Sequence, residues 1–429
     1  MLTETKARTH ARTALGIYIQ VPFCQTKCTY CNFHTGVVSA GRFAPYVEAV
    51  CKEIRGWRKL YEGAGLECGS GKWRVTSGER EEGGASPSRA RKRGFRGGAP
   101  NKRVTVDTVY IGGGTPSLLE PELLARMLEA VRETFATELG EVTLEADPET
   151  VAEEKARAWV AAGITRVSFG VQSFVDKELA AAGRMHRRAD VYRALEILRA
   201  AGIGNVSFDL IAGLPWQTQE SWKESLEELA KLGPEHVSVY LLEVDEGSRL
   251  GKELLGGGAR YSARAVPSDD EMAKFYEMAC AFLRAQGYRH YEISNWAKPG
   301  FESRHNLKYW EREPYLGFGA GAHSFSGKER WANAHDAAEY VRAMESGRLP
   351  IEQREVVTRE MALEEELFLG LRKLEGIDVS RIARDYGVDV GKRFKEFEKA
   401  GLTEREGDVV RLAEGKLSVS NEVFVGLMK

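Results

Sequence analysis

No uninterrupted apolar stretch in this sequence is long enough to cross a bilayer, which excludes a helical membrane protein. Cysteine is scarce. Six among 429 residues, unevenly spaced, do not form a disulfide framework. A reducing cytoplasm is therefore the expected compartment, and there thiolates stay available for metal. An excess of one charge sign is lacking too. Sixty-one Lys and Arg against 63 Asp and Glu leave a net charge of −2, with no global pull toward nucleic acid or an anionic membrane. The opening stretch, Met1 to Leu15, is polar and lacks the apolar core of a secretory leader. What is present, 43% hydrophobic and 29% charged residues, describes a soluble globular protein long enough for two domains.

Six apolar, β-rich runs alternate with helical stretches: Gly16–Val21, Val104–Ile111, Glu141–Ala146, Arg166–Val171, Val206–Ile211 and His236–Leu242. Helices are predicted over Arg42–Tyr61, Glu120–Phe135, Ala152–Ala162, Arg188–Ala201 and Thr218–Lys231, with glycine stops at Gly163 and Gly202. This alternation predicts βαβ units, a parallel sheet and an α/β fold curved into a partial (β/α)6 barrel over residues 16–245, after a tail of residues 1–15. Residues 63–102, rich in Gly, Ser and Arg, read as a disordered insertion. A basic arm touching RNA or acidic lipid is the alternative, which would make a peripheral membrane contact. After Leu242 the alternation stops. Residues 246–350 form an extension with a helix over Asp269–Gln286 and a strand over Tyr288–Ser294. Residues 351–429 read as helices followed by a hairpin across Gly407-Asp408, a winged-helix-like module whose fold does not itself imply DNA binding.

The chemistry concentrates at predicted strand ends. Cys24, Cys28 and Cys31 follow the first strand in a CxxxCxxC run. Three such thiolates can hold three irons of a four-iron cluster and leave one iron open. Zinc would want a fourth ligand, and only His34 follows closely. Cys51, Cys68 and Cys280 are isolated. Gly112-Gly113-Gly114-Thr115 ends the second strand, where glycines let backbone amides approach an anionic or zwitterionic head. Glu145, Gln172 and Asp209 end or interrupt later strands, and Arg184 could supply a partner charge. A buried carboxylate or amide there must be paired or face a ligand.

The cysteine spacing resembles that of the radical S-adenosylmethionine (SAM) superfamily, in which the open iron chelates the methionine head of SAM. The further strings resemble one branch of it: the oxygen-independent coproporphyrinogen III oxidases and the related HemW heme chaperones. That resemblance runs from about Gly16 to the C-terminus, skipping the insertion. It implies that Tyr18, Tyr30, Gly113, Gly114, Thr115, Glu145, Gln172, Arg184 and Asp209 line a SAM pocket, with Cys24, Cys28 and Cys31 on a [4Fe-4S] cluster.

Within that branch the oxidases extend the motif to CxxxCxxCxC, whereas Phe33 stands two past Cys31 here. The oxidases also carry a long N-terminal segment, against about fifteen residues here. His305-Asn306-Leu307-Lys308-Tyr309-Trp310 resembles the HNxxYW motif of the HemW group. A histidine can ligate heme iron and aromatics can pack on a porphyrin. Alternatively, His305 caps a local helix while Tyr309 and Trp310 pack the core. HemW relatives often carry a cysteine just before this motif, where Ser303-Arg304 stand here. The resemblance thus implies a heme chaperone that hands heme to an acceptor hemoprotein, plausibly respiratory, with a flavodoxin-like reductant if SAM is cleaved and with no nucleic-acid partner. The alternative is the oxidase, which decarboxylates porphyrinogen propionates by hydrogen abstraction.

Overall fold

The computed structural model describes residues 14–33, 35–62 and 104–428. The predicted insertion, Cys68 and His34 lie outside them. Six parallel strands stand side by side in chain order: β1 (Leu15–Val21), β2 (Thr105–Gly113), β3 (Ala136–Ala146), β4 (Arg166–Gln172), β5 (Val206–Ala212) and β6 (His236–Leu241). Helices α1 (Phe43–Glu62), α2 (Pro121–Thr134), α3 (Glu153–Ala162), α4 (Arg188–Ala201) and α5 (Gln219–Leu232) connect them. The glycine stops at Gly163 and Gly202 are left-handed caps. Only β3 departs much from expectation. It begins at Ala136 rather than Glu141, because Thr105 and Val106 continue to pair with Ala136 and Thr137.

The strands alternate. Ile17, Ile19, Val109, Leu144, Phe169 and Phe208 are fully buried in the apolar core. The intervening positions are polar: Tyr18 and Gln20, Thr108 and Tyr110, Thr143 and Glu145, Arg166 and Ser168, Ser207 and Asp209, His236 and Ser238. Hydrogen bonds between strands, such as Ser168 to Asp209 at 3.2 Å and Ser207 to His236 at 2.8 Å, place these polar residues together on the inner face. A (β/α)8 barrel usually fills its interior with branched apolar side chains. This one is lined with hydroxyls and charges.

The sheet does not close on itself. Beyond β6 it continues through β7 (Arg289–Glu292) and β8 (Asn295–Ala297), with β8 paired to β6. Beyond β1 it continues through β9 (Tyr315–Phe318), β10 (His323–Phe325), β11 (Glu329–Asn333) and β12 (Ile351–Val356). The sequence pattern did not reveal these last four strands. They are short, and Gly317, Gly319, Gly321 and Gly327 interrupt the stretch. Residues 246–356 thus share one twelve-stranded sheet with the barrel, so the extension runs past its predicted end at residue 350, because Ile351–Val356 pairs with Glu329–Asn333. The C-terminal part carries α-helices over Arg359–Arg372 and Val379–Tyr386, and a hairpin of Thr403–Glu406 with Val409–Leu412. Ile377–Asp378 adds a third strand to that hairpin.

One buried carboxylate joins the extension to the barrel. Glu53 on α1 is fully buried and accepts hydrogen bonds from the hydroxyls of Tyr61 and Tyr340 (the latter at 2.6 Å), Asn333 Nδ2 (2.8 Å) and the Gly319 amide (3.0 Å). Burial raises its carboxyl pKa while these donors pull it back. Glu53→Ala strands four buried donors at once and is expected to cost about 3 kcal/mol or more. Urea unfolding measures this, and a midpoint equal to that of the unsubstituted protein would contradict the assignment.

Candidate cofactor site at the barrel mouth

The cysteine loop is shaped by backbone hydrogen bonds. Thr29 N–H donates to the Ala182 carbonyl at 3.0 Å, and Leu250 N–H donates to that of Thr29 at 2.8 Å. From the other side, Gly114 N–H reaches Val21 O at 2.8 Å and Thr115 N–H reaches Phe23 O at 2.6 Å. A side chain at Gly114 would run into the Phe23 backbone, and Gly113 sits at φ 115°. The glycine run is therefore the bed on which the cysteine loop lies. Its amides, expected to be free for a ligand head, are spent within the protein, because Gly113 N–H donates to Glu145 Oε2 at 2.8 Å.

Cys24, Cys28 and Cys31 are unpaired, half-buried thiols. Burial raises the pKa of Cys24 and Cys31, which lie close enough to influence one another. Cys28 Sγ accepts from Arg184 Nη1 at 3.4 Å. Three sulfur donors on one loop suit a multi-iron cluster. Among the described residues no three His, Cys, Asp or Glu side chains gather closely enough for a single metal ion. Cys51 and Cys280 lie in helices away from this loop.

Arg184 is pinned by Asp147 and by the Gly170 carbonyl at 2.9 Å. Asp147 also accepts from Thr115 Oγ1 at 3.2 Å. Sequence reasoning named Thr115 and Arg184 but passed over Asp147, although it stands two residues beyond Glu145 on the same face. Tyr30 is half-buried within reach of Cys28, Arg184 and Asp147. Gln172 ends β4 at φ 65°, a backbone conformation unusual for a side chain of its kind. Deeper in, Tyr110 was also missed. Its hydroxyl donates to Glu145 Oε1 at 2.9 Å, and its ring stacks on Tyr18 with centroids 5.9 Å apart. Tyr18 in turn donates to Gln20 Oε1 at 2.7 Å. Burial pushes the Glu145 carboxyl up to about 7. Asp209 accepts from Ser168 and Ser207 at the middle of its strand rather than at the mouth.

The HNxxYW segment lies at the opposite end of the lumen. Helix α6 (Asp269–Ala285) is followed by α7 (Arg304–Trp310), whose first turn is capped by Ser303 and by the buried carboxylate of Glu141, 2.9 Å from Arg304 N and 3.0 Å from His305 N. His305 is 1% exposed. Its Nδ1 meets Thr108 Oγ1 at 3.0 Å and its Nε2 meets the Tyr309 hydroxyl at 2.8 Å. Burial, with the charges of Lys308 and Arg166, holds its pKa down at about 3. Both ring nitrogens are therefore committed in this conformation, and binding iron would require one of these bonds to open. Tyr309 packs edge-on against Tyr315, Arg372 lies over the Trp310 ring at 4.5 Å, and Asn306 is half-buried.

Replacing Cys24, Cys28 or Cys31 singly with Ala is expected to drop bound iron from about four per chain to well below one after anaerobic reconstitution. Iron analysis checks this, and three variants that all kept full iron would refute the ligand set.

Comparison with known proteins agrees with this geometry. Residues 18–229 match the Radical SAM superfamily model, and residues 357–414 match the HemN C-terminal domain. The heme chaperone HemW of Bacillus subtilis is 33% identical over 414 residues, which is 95% of this chain and 97% of that protein. HemW of Mycobacterium tuberculosis (strain H37Rv) is 33% identical over 408 residues, covering 94% and 92%. The structure of coproporphyrinogen III oxidase (HemN) from Escherichia coli superposes with a TM-score of 0.76 at 20% identity, covering 98% of this chain and 91% of that one, which establishes the shared fold. Membership in the superfamily brings a [4Fe-4S] cluster and SAM as cofactors. With its partial barrel, its cysteine loop and full-length similarity of this degree, the chain belongs to the HemW heme chaperone family.

Proposed function

We propose that this protein binds heme and passes it to an acceptor hemoprotein of the respiratory kind in the cytoplasm. The observation that carries the reading is the near-complete alignment with HemW proteins. Phe33, 65% exposed where the oxidase pattern has a further cysteine, adds to it. When bound, the cluster supplies an open iron for the methionine head of SAM and the electron for its reductive cleavage, drawn from a flavodoxin-like donor.

The chain's own residues hold that arrangement. Cys24, Cys28 and Cys31 would carry the cluster. Arg184, clamped by Asp147, orients the Cys28 side of the loop. Tyr18, Tyr30, Gly113, Gly114, Thr115, Gln172 and Asp209 would shape the SAM pocket, with Glu145 as its central carboxylate. In this arrangement Gly114 and Thr115 act by seating the loop rather than by offering free amides. His305, Asn306, Tyr309 and Trp310 form the segment assigned to heme handling, which enters that role by leaving its closed position. Residues 16–245 make the barrel, 246–356 the extension and the chain from 357 onward the C-terminal module.

Two measurements test this. SAM carries a sulfonium charge that favours ionised Glu145, so binding expels the proton that Glu145 holds below about pH 7. Affinity for SAM is expected to rise roughly tenfold from pH 6 to pH 8 and then level off, following the fraction of ionised carboxylate. In Glu145→Gln the profile should be flat, and an equally steep profile in that variant would remove Glu145 from the pocket. The deciding experiment gives reconstituted protein SAM and a reductant with coproporphyrinogen, and titrates heme into a parallel sample. Heme uptake without decarboxylated product supports the chaperone. Decarboxylated product would make the protein an oxidase.

A further inference from the structure

Arg166 opens β4 at the floor of the lumen, level with Thr143 on β3. It is 2% exposed, and its Nε is buried without a hydrogen-bond partner. Among the described residues no carboxylate comes within ion-pairing distance of its guanidinium. Thr143, fully buried beside it, has a hydroxyl that is equally without a partner.

Every neighbour has already found its bonds. Asp209, whose ionised form Arg166 favours through space, takes the hydroxyls of Ser168 at 3.2 Å and Ser207 at 3.4 Å. His236 is held by Ser207 and by the Tyr291 hydroxyl, both at 2.8 Å. His305 is held by Thr108 and Tyr309. Tyr110 gives its proton to Glu145. What remains is a buried cation and a buried hydroxyl, side by side, facing a polar lumen. Leaving such groups unmatched is costly, and native proteins rarely do so without a reason.

We propose that Arg166 and Thr143 receive a carboxylate arm of a porphyrin held in the lower half of the barrel; this rests on the heme reading above. A guanidinium matches a carboxylate in shape as well as charge, and the Thr143 hydroxyl adds a donor. The methionine carboxylate of SAM is poorly placed for this position. Arg166 is six residues, on the order of 20 Å, from the Gln172 end of its strand, where the cysteine loop lies. Entry is by way of α7. Its seven residues do not hold a helix unaided, and it docks on the floor through Glu141, Thr108 and Lys308, which reaches Asp107 at 3.1 Å.

The test titrates reconstituted full-length protein with heme and with heme dimethyl ester, which lacks free carboxylates, and with SAM as a control. The unsubstituted protein is expected to bind heme about 10- to 100-fold tighter than the ester, the range for a hydrogen bond to a charged group. Arg166→Gln should bring heme down to the ester's affinity and leave the ester and SAM unaffected. Thr143→Val, nearly isosteric, should lower heme affinity several-fold and spare the ester. Equal discrimination between heme and ester in Arg166→Gln and the unsubstituted protein would overturn the proposal while leaving the chaperone reading intact. Loss of SAM binding alone, with heme unchanged, would overturn it as well. An unsubstituted protein that takes up no heme would remove both.

Discussion

One strand ties the two ends of this molecule together. Along the inner face of β3 and just past it stand Glu141, Thr143, Glu145 and Asp147, each turned inward because side chains alternate along a strand. Glu141 caps α7 at the floor. Glu145 gathers the Gly113 amide and the Tyr110 hydroxyl halfway up. Asp147 holds Arg184 and Thr115 at the mouth, and Arg184 reaches Cys28. A lumen with three carboxylates on one strand would repel itself in an apolar barrel. Here each oxygen is turned toward a donor, so the row becomes a scaffold.

Much of this was legible beforehand. The six parallel strands announced themselves through short β-rich runs between amphipathic helices, and Cys24, Cys28 and Cys31 through spacing that leaves few other chemistries. Glu145, Gln172 and Asp209 stood out as polar interruptions of apolar runs. The regular alternation behind those interruptions was less visible. Read two residues at a time, Ser168, Ser207, Ser238 and Arg166 carry the same signal. Serine is too common to attract notice alone, and Arg166 begins its strand, where a charge reads as a boundary. Tyr110 was hidden for a related reason, since a tyrosine in a strand is ordinarily taken for packing.

The extension was the least legible part. Strands of three to six residues broken by glycines carry too little periodicity to separate from loops. What stabilises them is remote: Glu53, far away in sequence, gathers Gly319, Asn333 and Tyr340 from three separate segments. Likewise, nothing local in His305-Asn306-Leu307-Lys308-Tyr309-Trp310 says that its histidine will be folded inward. That outcome depends on Thr108 and Glu141, nearly two hundred and more than one hundred and sixty residues away in the chain.

The backbone bonds that hold the cysteine loop involve no metal. Val21, Phe23, Thr29, Ala182 and Leu250 set its course through amides and carbonyls alone. The loop is therefore a mould that exists before its casting. Little chain entropy would be left to lose on binding a cluster there, so the cost of ordering the loop falls on folding rather than on loading.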